Sequence, residues 1–384
     1  MRLIFTSLVS HGHLYPLLPL AVAARDAGHE VVFATGDDLL TVVEKAGLAV
    51  ESAGLGMHEA FASVLGPDVR PNASDGPPES FYPVIGQVFG NVLPRRFVAD
   101  LTPLLERFRP DLVVYESGNA GGAIAARLAG VPAIGHGFGR FSPGGITDAI
   151  HGRLEEFAAE VGFEGVYLPS FGDPVVDICP ESVQEPDFVA EANRIPLRPV
   201  GWAEPGDLPA GVIGRDKSRP LIYLTLGTAF GDEDVLKRAI GGLARLDADV
   251  IVAAGPSADP AGLGALPVNV RVEVWVPQVD LLPHVDLVVH HGGSGTTLGA
   301  FGAGLPQLVL PQGADQFTNA EAVVAAGVGT QLIGADIVED AIFEQARKLL
   351  TDETVHGAAR KLADEVAAMP SPAEVARRLP EFAG

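Results

Sequence analysis

LVVHHGGSGTT, residues 287–297, joins an apolar run to a cluster of glycines and hydroxyl side chains. This succession is typical of a strand that is followed by a helix in an α/β fold. The free amides at a helix start attract anions, and Gly292, Gly293 and Gly295 leave the backbone open to close approach. The stretch therefore predicts a phosphate-binding turn between a strand and a helix.

The same alternation of strand and helix extends in both directions from this turn. Residues 1–40 contain a βαβ pattern, and a second series begins with LIYLTLGT at residues 221–228. The pattern predicts an α/β fold with two facing Rossmann-like doubly wound parallel-sheet domains. Because such sheets bind ligands at the carboxyl ends of their strands, we expect the site in the cleft between the domains.

The domain boundaries follow from a loss of periodicity around residues 197–212, where Pro and Gly accumulate. We expect an N-terminal domain over residues 1–200, an interdomain linker over 201–219 and a C-terminal domain over 220–369. The remaining helical segment, 370–384, is expected to pack back on the N-terminal domain.

Composition restricts the class of partner and the compartment. The 384 residues carry a net charge of −23 and no basic run, which argues against nucleic acid and an anionic membrane surface. The single Cys179 excludes an internal disulfide and fits a reducing compartment. The N-terminus reads as a first strand rather than a targeting segment, so we expect a cytoplasmic protein. The sequence leaves a homodimer open.

The turn can be compared with two known kinds of phosphate-binding site. A nucleotide-hydrolysing P-loop needs a Lys after the glycines, and HHGGSGTT has none. The G-x-G-x-x-G fingerprint of dinucleotide sites is also missing from the first turn, SHGHLYP. However, Asp37 and Asp38 follow the second strand, where a ribose-binding carboxylate lies in Rossmann oxidoreductases. An NAD-dependent oxidoreductase therefore remains an alternative.

The paired histidines allow a metal site as another alternative. Zinc could be held by His284, His290 and His291, but their spacing fits no common motif and no Cys or carboxylate lies beside them. We expect no metal. Since successive strand residues point to opposite faces, only one of His290 and His291 can face a ligand at the glycines.

Three motifs occur in order over residues 275–320: Trp-x-Pro-Gln, a His-x-Gly that starts thirteen residues after this Gln, and Asp-Gln. The arrangement resembles the donor-binding signature of family 1 type glycosyltransferases with the two-domain GT-B fold. With HGHLYPLLPL at residues 11–20, the resemblance spans essentially the whole chain. It is closest to enzymes of actinobacterial antibiotic biosynthesis similar to calicheamicin rhamnosyltransferase. It implies a hexosyltransferase with an N-terminal acceptor-binding and a C-terminal nucleotide-sugar donor-binding domain.

The resemblance implies roles for the donor-binding residues. Trp275 matches the residue that stacks on the nucleobase, and Val276 the one whose backbone bonds the base edge. His291 matches the histidine that bonds the pyrophosphate, while Asp315 and Gln316 match the pair that holds the sugar hydroxyls. The other implied phosphate-binding residues are Thr228, Gly293, Ser294, Gly295 and Thr296.

The resemblance also implies the catalytic groups of an inverting reaction. Such a transfer needs a base for the acceptor proton, and a histidine suits this task near neutral pH. His13 matches the family's base, with His11 as a rival. Many members orient the base with an Asp, and here the matching residue is Glu116, which is one methylene longer.

The donor nucleotide is indicated by a departure from the family pattern. Many members that use UDP-sugars carry a Glu eight residues after the pyrophosphate histidine, where it holds the ribose hydroxyls; here the residue is Gly299. The resemblance therefore implies a dTDP-deoxysugar as co-substrate, with no further cofactor.

The acceptor is expected to be a hydrophobic natural-product aglycone. The pattern of strands and helices breaks between Gly54 and Pro94, where residues 65–81 are predicted to form a long mobile loop, and residues 138–174 are a second irregular stretch. Their candidate acceptor-binding residues are Phe81, Tyr82, Phe89, Phe138 and Phe141. The aglycone, the sugar and the atom that is glycosylated stay open. A nucleotide-sugar epimerase of the same architecture and a catalytically silent sugar-nucleotide-binding protein remain further alternatives.

Overall fold

The computed structural model describes residues 1–67, 78–163, 171–204, 206–215, 217–227, 232–255 and 263–384. The chain divides into two compact units. Unit 1 comprises Met1–Cys179, Gln184–Trp202 and Met369–Gly384, and unit 2 comprises Pro180–Val183 and Ala203–Ala368. Each unit is built around one parallel sheet.

The sheet of unit 1 has seven parallel strands in the order β3-β2-β1-β4-β5-β6-β7. Its strands are β1 Arg2–Thr6, β2 Glu30–Thr35, β3 Ala49–Ser52, β4 Leu112–Glu116, β5 Ala133–His136, β6 Val175–Asp177 and β7 Arg194–Pro196. Residues 3–5 of β1 and 112–115 of β4 form continuous runs of apolar and aromatic residues that are buried on both faces, as expected where helices cover both sides of a parallel sheet.

The helices of unit 1 connect these strands and cover the sheet. They are α1 His11–Leu14, α2 Leu18–Asp26, α3 Asp37–Lys45, α4 Met57–Leu65, α5 Tyr82–Gln87, α6 Leu93–Phe108, α7 Ala120–Leu128, α8 Ile146–Glu160, α9 Pro186–Glu191 and, near the end of the chain, α16 Pro372–Arg378. A π-helical turn, Val88–Val92, joins α5 to α6. Helix α16 packs against α2.

The sheet of unit 2 has six parallel strands in the order β10-β9-β8-β11-β12-β13. They are β8 Leu221–Thr225, β9 Asp249–Ala253, β10 Val270–Glu273, β11 Leu287–His290, β12 Gln307–Val309 and β13 Gly329–Gln331. The helices are α10 Glu233–Leu243, α11 Gln278–Leu281, α12 Ser294–Ala303, α13 Gln316–Ala325, α14 Glu339–Leu349 and α15 Glu353–Ala368. Alternate residues of β8 enter different cores: Ile222 and Leu224 face one apolar cluster, and Leu221 and Tyr223 face the other.

The predicted fold class is confirmed, because both units are doubly wound parallel sheets with connecting helices. In each sheet the strand order reverses once next to the first strand of the unit, between β1 and β4 and between β8 and β11. A crevice forms at the carboxyl ends of the strands at such a reversal, and ligands of doubly wound sheets bind there.

The stretch between Gly54 and Pro94, where the sequence pattern breaks, contains α4, α5 and the start of α6. Most of the mobile loop predicted over residues 65–81 lies outside the described residues. Gly86 and Gly90 belong to the same stretch. In the structure they let α5 and the π-turn approach α8, since an added Cβ at either would lie 2.5 Å from a carbonyl oxygen of that helix. Likewise α8 lies within the stretch 138–174 that is predicted to be irregular.

Part of the predicted linker packs within unit 2. Val212 is buried in a core of that unit, and Arg215 forms a 2.7 Å ion pair with Asp286 at the start of β11. Across the described residues, none of the helices combines the length and the apolar character needed to cross a bilayer.

Candidate active site

His13 and Glu116 meet at the strand-order reversal of unit 1. His13 lies on the short helix α1, which the buried Leu14 anchors, and Glu116 is the last residue of β4. Nδ1 of His13 is 3.1 Å from Oε2 of Glu116, an ion-pair distance. The His13 side chain is 21% exposed and that of Glu116 is fully buried. The longer Glu therefore reaches the histidine that the sequence pairs with it.

Gly118, which the sequence analysis missed, holds the carboxylate of Glu116 in place. Its N–H donates a short hydrogen bond to Oε1 of Glu116. A Cβ at this position would lie 2.9 Å from the same oxygen and 3.2 Å from a methyl carbon of Leu8. The YESG turn thus contributes a carboxylate and also the space that this carboxylate needs.

Two further buried polar residues flank Glu116 in the sheet and were also missed. Thr6 pairs with Tyr115 in the β1–β4 register, so Ser7 follows beside Glu116, and Glu116 pairs with His136 of β5. Ser7, Glu116 and His136 are all fully buried. Burial lowers the pKa of His136 to about 4, so this imidazole is neutral at neutral pH. A polar row therefore crosses the carboxyl ends of three strands.

The candidate acceptor-binding residues lie in different surroundings. Phe138 packs on the His13 ring, with 4.6 Å between the ring centroids. Phe141 packs on Phe188 at 5.2 Å, and its N–H donates to Gln184 Oε1 at 2.9 Å, so it is part of the packing of α9. The others lie around α5 and the π-turn: Phe89 contacts Phe61, Tyr82 lies beside Gly145, and Phe81 ends the turn before α5. Among these five, Phe138 is the residue for which a contact with His13 is seen.

The rival base His11 is exposed and makes an edge contact with Tyr15, with ring centroids 5.1 Å apart. It lies two residues before His13, whose ring faces Glu116. The structure therefore favours His13 over His11 as the partner of the carboxylate.

Trp275 follows β10 in unit 2 and exposes a large aromatic face. Its side chain is packed on Gly206, where an added Cβ would lie 2.6 Å from Cζ3, yet the residue is 46% exposed. Val276 is buried in a core of the unit, so its backbone is the part that could serve a ligand. An exposed indole face next to a fixed backbone is suited to stacking on a planar base.

Both ring nitrogens of His290 form hydrogen bonds within the protein. Its Nδ1 accepts from the Gly292 N–H at 3.1 Å, and its Nε2 pairs with Gln307 Oε1 at 2.9 Å, which fixes the proton on Nε2. Burial and the neighbouring His291 lower the pKa of His290 to about 3. This histidine is structural.

His291 is the histidine that faces the glycine turn. Its ring lies between Gly227 and Gly293, where an added Cβ would come within 2.6 Å and 2.5 Å of Nε2. Burial lowers its pKa to about 4, against the opposing effect of the Asp315 carboxylate. A neutral imidazole can donate one N–H to an anion. Thr228, the other candidate at this reversal, lies outside the described residues.

The start of α12 forms an open anion-binding turn. Gly292 has φ +96°, Gly293 is the N-cap, and the first turn contains no acidic residue. An added Cβ at Gly295 would meet nothing within 4 Å, so this amide is accessible. The Thr296 hydroxyl donates to Gln278 Oε1 at 3.0 Å and is thus used within the protein. The N–H groups of Thr296 and Thr297 donate to the Gly293 carbonyl oxygen, so the amides of Ser294 and Gly295 are the groups that can receive a phosphate here.

Asp315 and Gln316 differ in their surroundings. Ser294 Oγ donates to Asp315 Oδ2 at 2.8 Å, which links the carboxylate to the anion-binding turn. Gln316 is only 2% exposed, and its Oε1 accepts from the backbone amides of Gln312 and Gly313 at 2.8 and 3.1 Å. In this arrangement Gln316 stabilises the turn after β12, and the hydrogen bonds of Asp315 to Ser294 and Asn319 both go to Oδ2.

The Gly299 position faces two side chains of α11 and the turn that follows it. An added Cβ would lie 2.9 Å from Leu282 Cδ1 and 3.5 Å from Gln278 Nε2. Within the described ranges there is also no group of three or more His, Cys, Asp or Glu residues placed to hold a metal ion.

The three buried histidines predict a loss of stability in acid. The folded chain binds protons at His136 and His291 only near pH 4 and at His290 near pH 3, whereas an unfolded histidine binds them near pH 6.5. The unfolded state therefore holds more protons below about pH 6.5, and the free energy of unfolding falls with pH down to the folded pKa values.

Chemical denaturation at several pH values measures this effect. We expect His136→Gln to flatten the decline between pH 6.5 and 4, while the exposed His58→Gln leaves its slope unchanged. The contribution of His136 is at most about 3–4 kcal/mol, from a pKa lowered from 6.5 to about 4 at about 1.4 kcal/mol per unit. Equal slopes in the wild type and His136→Gln would contradict the assignment.

Two family models match the chain. They are the N-terminal domain of the erythromycin biosynthesis protein CIII-like family over residues 22–192 and its C-terminal domain over residues 237–382. The L-demethylnoviosyl transferase of Streptomyces niveus is 35% identical over 398 residues, with 99% of this chain and 97% of the relative covered.

Two solved structures are similar over nearly their whole length. The glycosyltransferase SsfS6 of Streptomyces sp. SF2575, complexed with thymidine diphosphate, has a TM-score of 0.79 at 29% identity, with 99% of both chains covered. The spinosyn rhamnosyltransferase SpnG, complexed with spinosyn aglycone, has a TM-score of 0.83 at 27% identity, with 99% of this chain and 100% of that chain covered. Both similarities include the two parallel-sheet units.

Proposed function

The chain belongs to the erythromycin biosynthesis protein CIII-like family of antibiotic-tailoring glycosyltransferases, and from this we propose that it moves a deoxysugar from a dTDP-sugar to a hydrophobic natural-product aglycone with inversion. The contact between His13 and Glu116 carries the mechanistic part of the proposal. The family membership disfavours the epimerase, oxidoreductase and silent-binder alternatives.

His13 acts as the general base in this proposal. With Nδ1 beside the Glu116 carboxylate, its proton is held on that nitrogen, and the lone pair of Nε2 takes the acceptor proton. The acceptor oxygen attacks the anomeric carbon, a new C–O bond forms, and the bond from that carbon to the diphosphate oxygen breaks. The positive charge on His13 is stabilised by Glu116.

Unit 2 supplies the groups for the leaving diphosphate. The amides at the start of α12 and the His291 ring are donors that are fixed before the reaction, and they favour the charge that develops on the departing dTDP. The exposed face of Trp275 stacks on thymine, and Asp315 bonds a sugar hydroxyl. With these donors in place the proposed transfer uses no metal ion.

The donor and acceptor classes have separate support. The similar structure of SsfS6 contains thymidine diphosphate, and the absence of a carboxylate at Gly299 removes a reason to select a ribose 2′-hydroxyl. Phe138 next to His13 offers an apolar contact for an aglycone, and the similar SpnG structure contains one.

Calorimetric titration of the purified protein with dTDP, UDP and NAD, in buffer containing a chelator, tests the proposal. We expect dTDP to bind about tenfold more tightly than UDP, because the 2′-hydroxyl of UDP loses water without gaining a partner. NAD should not bind measurably.

Each other outcome of this titration changes a different part of the proposal. Tighter binding of UDP would contradict the dTDP assignment and leave the enzyme class unchanged. Binding that requires a divalent cation would contradict the metal-independent mechanism. Binding of NAD alone would contradict the whole proposal.

A further inference from the structure

A single amide group connects the anion-binding turn of unit 2 to the carboxylate of Asp315. Nδ2 of Asn319 lies 2.8 Å from the Gly292 carbonyl oxygen, 3.1 Å from Ser294 Oγ and 3.1 Å from Asp315 Oδ2. Asn319 is on the second turn of α13 and only 4% exposed, so these contacts are shielded from water. The sequence analysis assigned no role to this residue.

The hydroxyl group of Ser294 completes the same network. It donates to Asp315 Oδ2 at 2.8 Å and lies within hydrogen-bond distance of the Asn319 amide. A serine hydroxyl has only one proton to donate. While that proton is directed to Asp315, the hydroxyl cannot also donate to a phosphate, and the backbone N–H of Ser294 remains for that purpose.

We propose that Ser294 and Asn319 are positioning residues that hold Asp315 for the transferred sugar, and that the Ser294 hydroxyl does not bind the diphosphate. The inference rests on the proposed function. Two donors occupy Oδ2 of Asp315, so the carboxylate has a fixed orientation and Oδ1 is left for a sugar hydroxyl. The same donors compensate the negative charge that Asp315 brings next to a diphosphate.

This arrangement separates recognition of the sugar from recognition of the nucleotide. If the hydroxyl and the amide orient Asp315, their removal reduces the contribution of the sugar to the binding affinity and leaves the contribution of the diphosphate unchanged. If the hydroxyl instead binds the diphosphate, its removal lowers the affinities for the nucleotide and for the nucleotide sugar equally. The two cases differ in the ratio of two affinities, which can be measured without knowing the acceptor.

The experiment compares the affinities of dTDP and dTDP-glucose for the full chain and its variants by calorimetry. For Ser294→Ala and Asn319→Ala we expect the affinity for dTDP-glucose, relative to that for dTDP, to fall about tenfold. The affinity for dTDP should change by less than about twofold. Because both residues act through Asp315, the double variant should lose no more than Asp315→Ala does.

Two matched variants separate positioning from stability. Asn269 directly precedes β10, at the opposite end of the sheet of unit 2. Asn269→Ala removes a half-buried side-chain amide that donates to the carbonyl oxygens of Ala244, Leu246 and Ala248. Thr297→Val removes a hydroxyl from the same helix turn as Ser294, where it bonds the Gly293 carbonyl oxygen at 3.0 Å. Both should leave the ratio of affinities unchanged, whatever they do to the melting temperature.

The remaining outcomes overturn either the inference or the proposed function. An unchanged ratio of the two affinities in Ser294→Ala would overturn the inference. If both affinities fall equally, the hydroxyl binds the diphosphate. Should Asn319→Ala fail to fold, Ser294→Ala decides, since it removes one oxygen atom. A wild-type chain that binds neither nucleotide would instead contradict the proposed function.

Discussion

Replacing His13 by Ala is expected to lower kcat by about 10²–10⁴-fold while the affinity for dTDP stays unchanged. His13 belongs to unit 1, whereas the proposed nucleotide-binding groups belong to unit 2. The substitution removes the group that accepts the acceptor proton, so the step that forms the new glycosidic bond slows. The measurement is steady-state release of dTDP from a dTDP-sugar with an aglycone acceptor, together with calorimetry of dTDP.

Three further variants sharpen this result. Glu116→Gln keeps the shape of the partner and removes its charge, so we expect a smaller loss of kcat than in His13→Ala. His151→Ala is a matched control, since Nε2 of His151 lies 3.7 Å from Glu155 on the surface of unit 1, a similar pair outside the site. If His11→Ala lost activity and His13→Ala did not, the base would have to be reassigned.

Replacing Gly292 by Ala is expected to have the second large effect, on both stability and nucleotide binding. Gly292 has φ +96°, a conformation that costs other residues about 1–3 kcal/mol. Its added Cβ would lie 2.8 Å from the Gln316 carbonyl oxygen and 2.9 Å from Val309 Cγ1. Because backbone and a strand residue block relaxation, the turn must shift, and we expect at least a tenfold loss of affinity for dTDP.

Gly295→Ala supplies the contrast for this prediction. An added Cβ at Gly295 meets open space, so the variant should keep the wild-type melting temperature. If the diphosphate approaches this amide, the methyl group obstructs it and the affinity for dTDP still falls. Thermal unfolding and calorimetry of both variants distinguish damage to the turn from obstruction of the ligand. Gly292→Ala with unchanged stability and affinity would refute the argument.

The fold class could be predicted from the sequence because both sheets consist of short apolar strands that alternate with helices. The helices between Gly54 and Pro94 and within residues 138–174 were not predicted. Gly86 and Gly90 allow close contact between α5, the π-turn and α8. Sequence spacing does not distinguish a glycine that is needed for a turn from one that is needed for helix packing, since the difference depends on which element lies opposite.

Those residues of the candidate site that belong to sequence motifs could be predicted. The motifs indicated His13, Glu116 and the turn before α12, and the structure brings His13 and Glu116 into contact. Ser7, His136 and Asn319 carry no motif, because their places depend on strand register and on the packing of α13 against the turn. The roles of the site residues, the domain boundaries, a homodimer, a cytoplasmic location and a special closeness to calicheamicin rhamnosyltransferase stay predictions.

The path of the chain between the two units has a consequence for engineering. The C-terminal residues return to unit 1, where α16 packs on α2 and the Arg198 N–H donates to the Pro370 carbonyl oxygen at 2.8 Å. Most of unit 2, Ala203–Ala368, is thus inserted between two parts of unit 1. A chimaera that exchanges this segment between two such enzymes at one junction would leave the last helix from the wrong parent against α2. Hybrid enzymes should therefore be cut at two junctions, near Trp202 and near Met369.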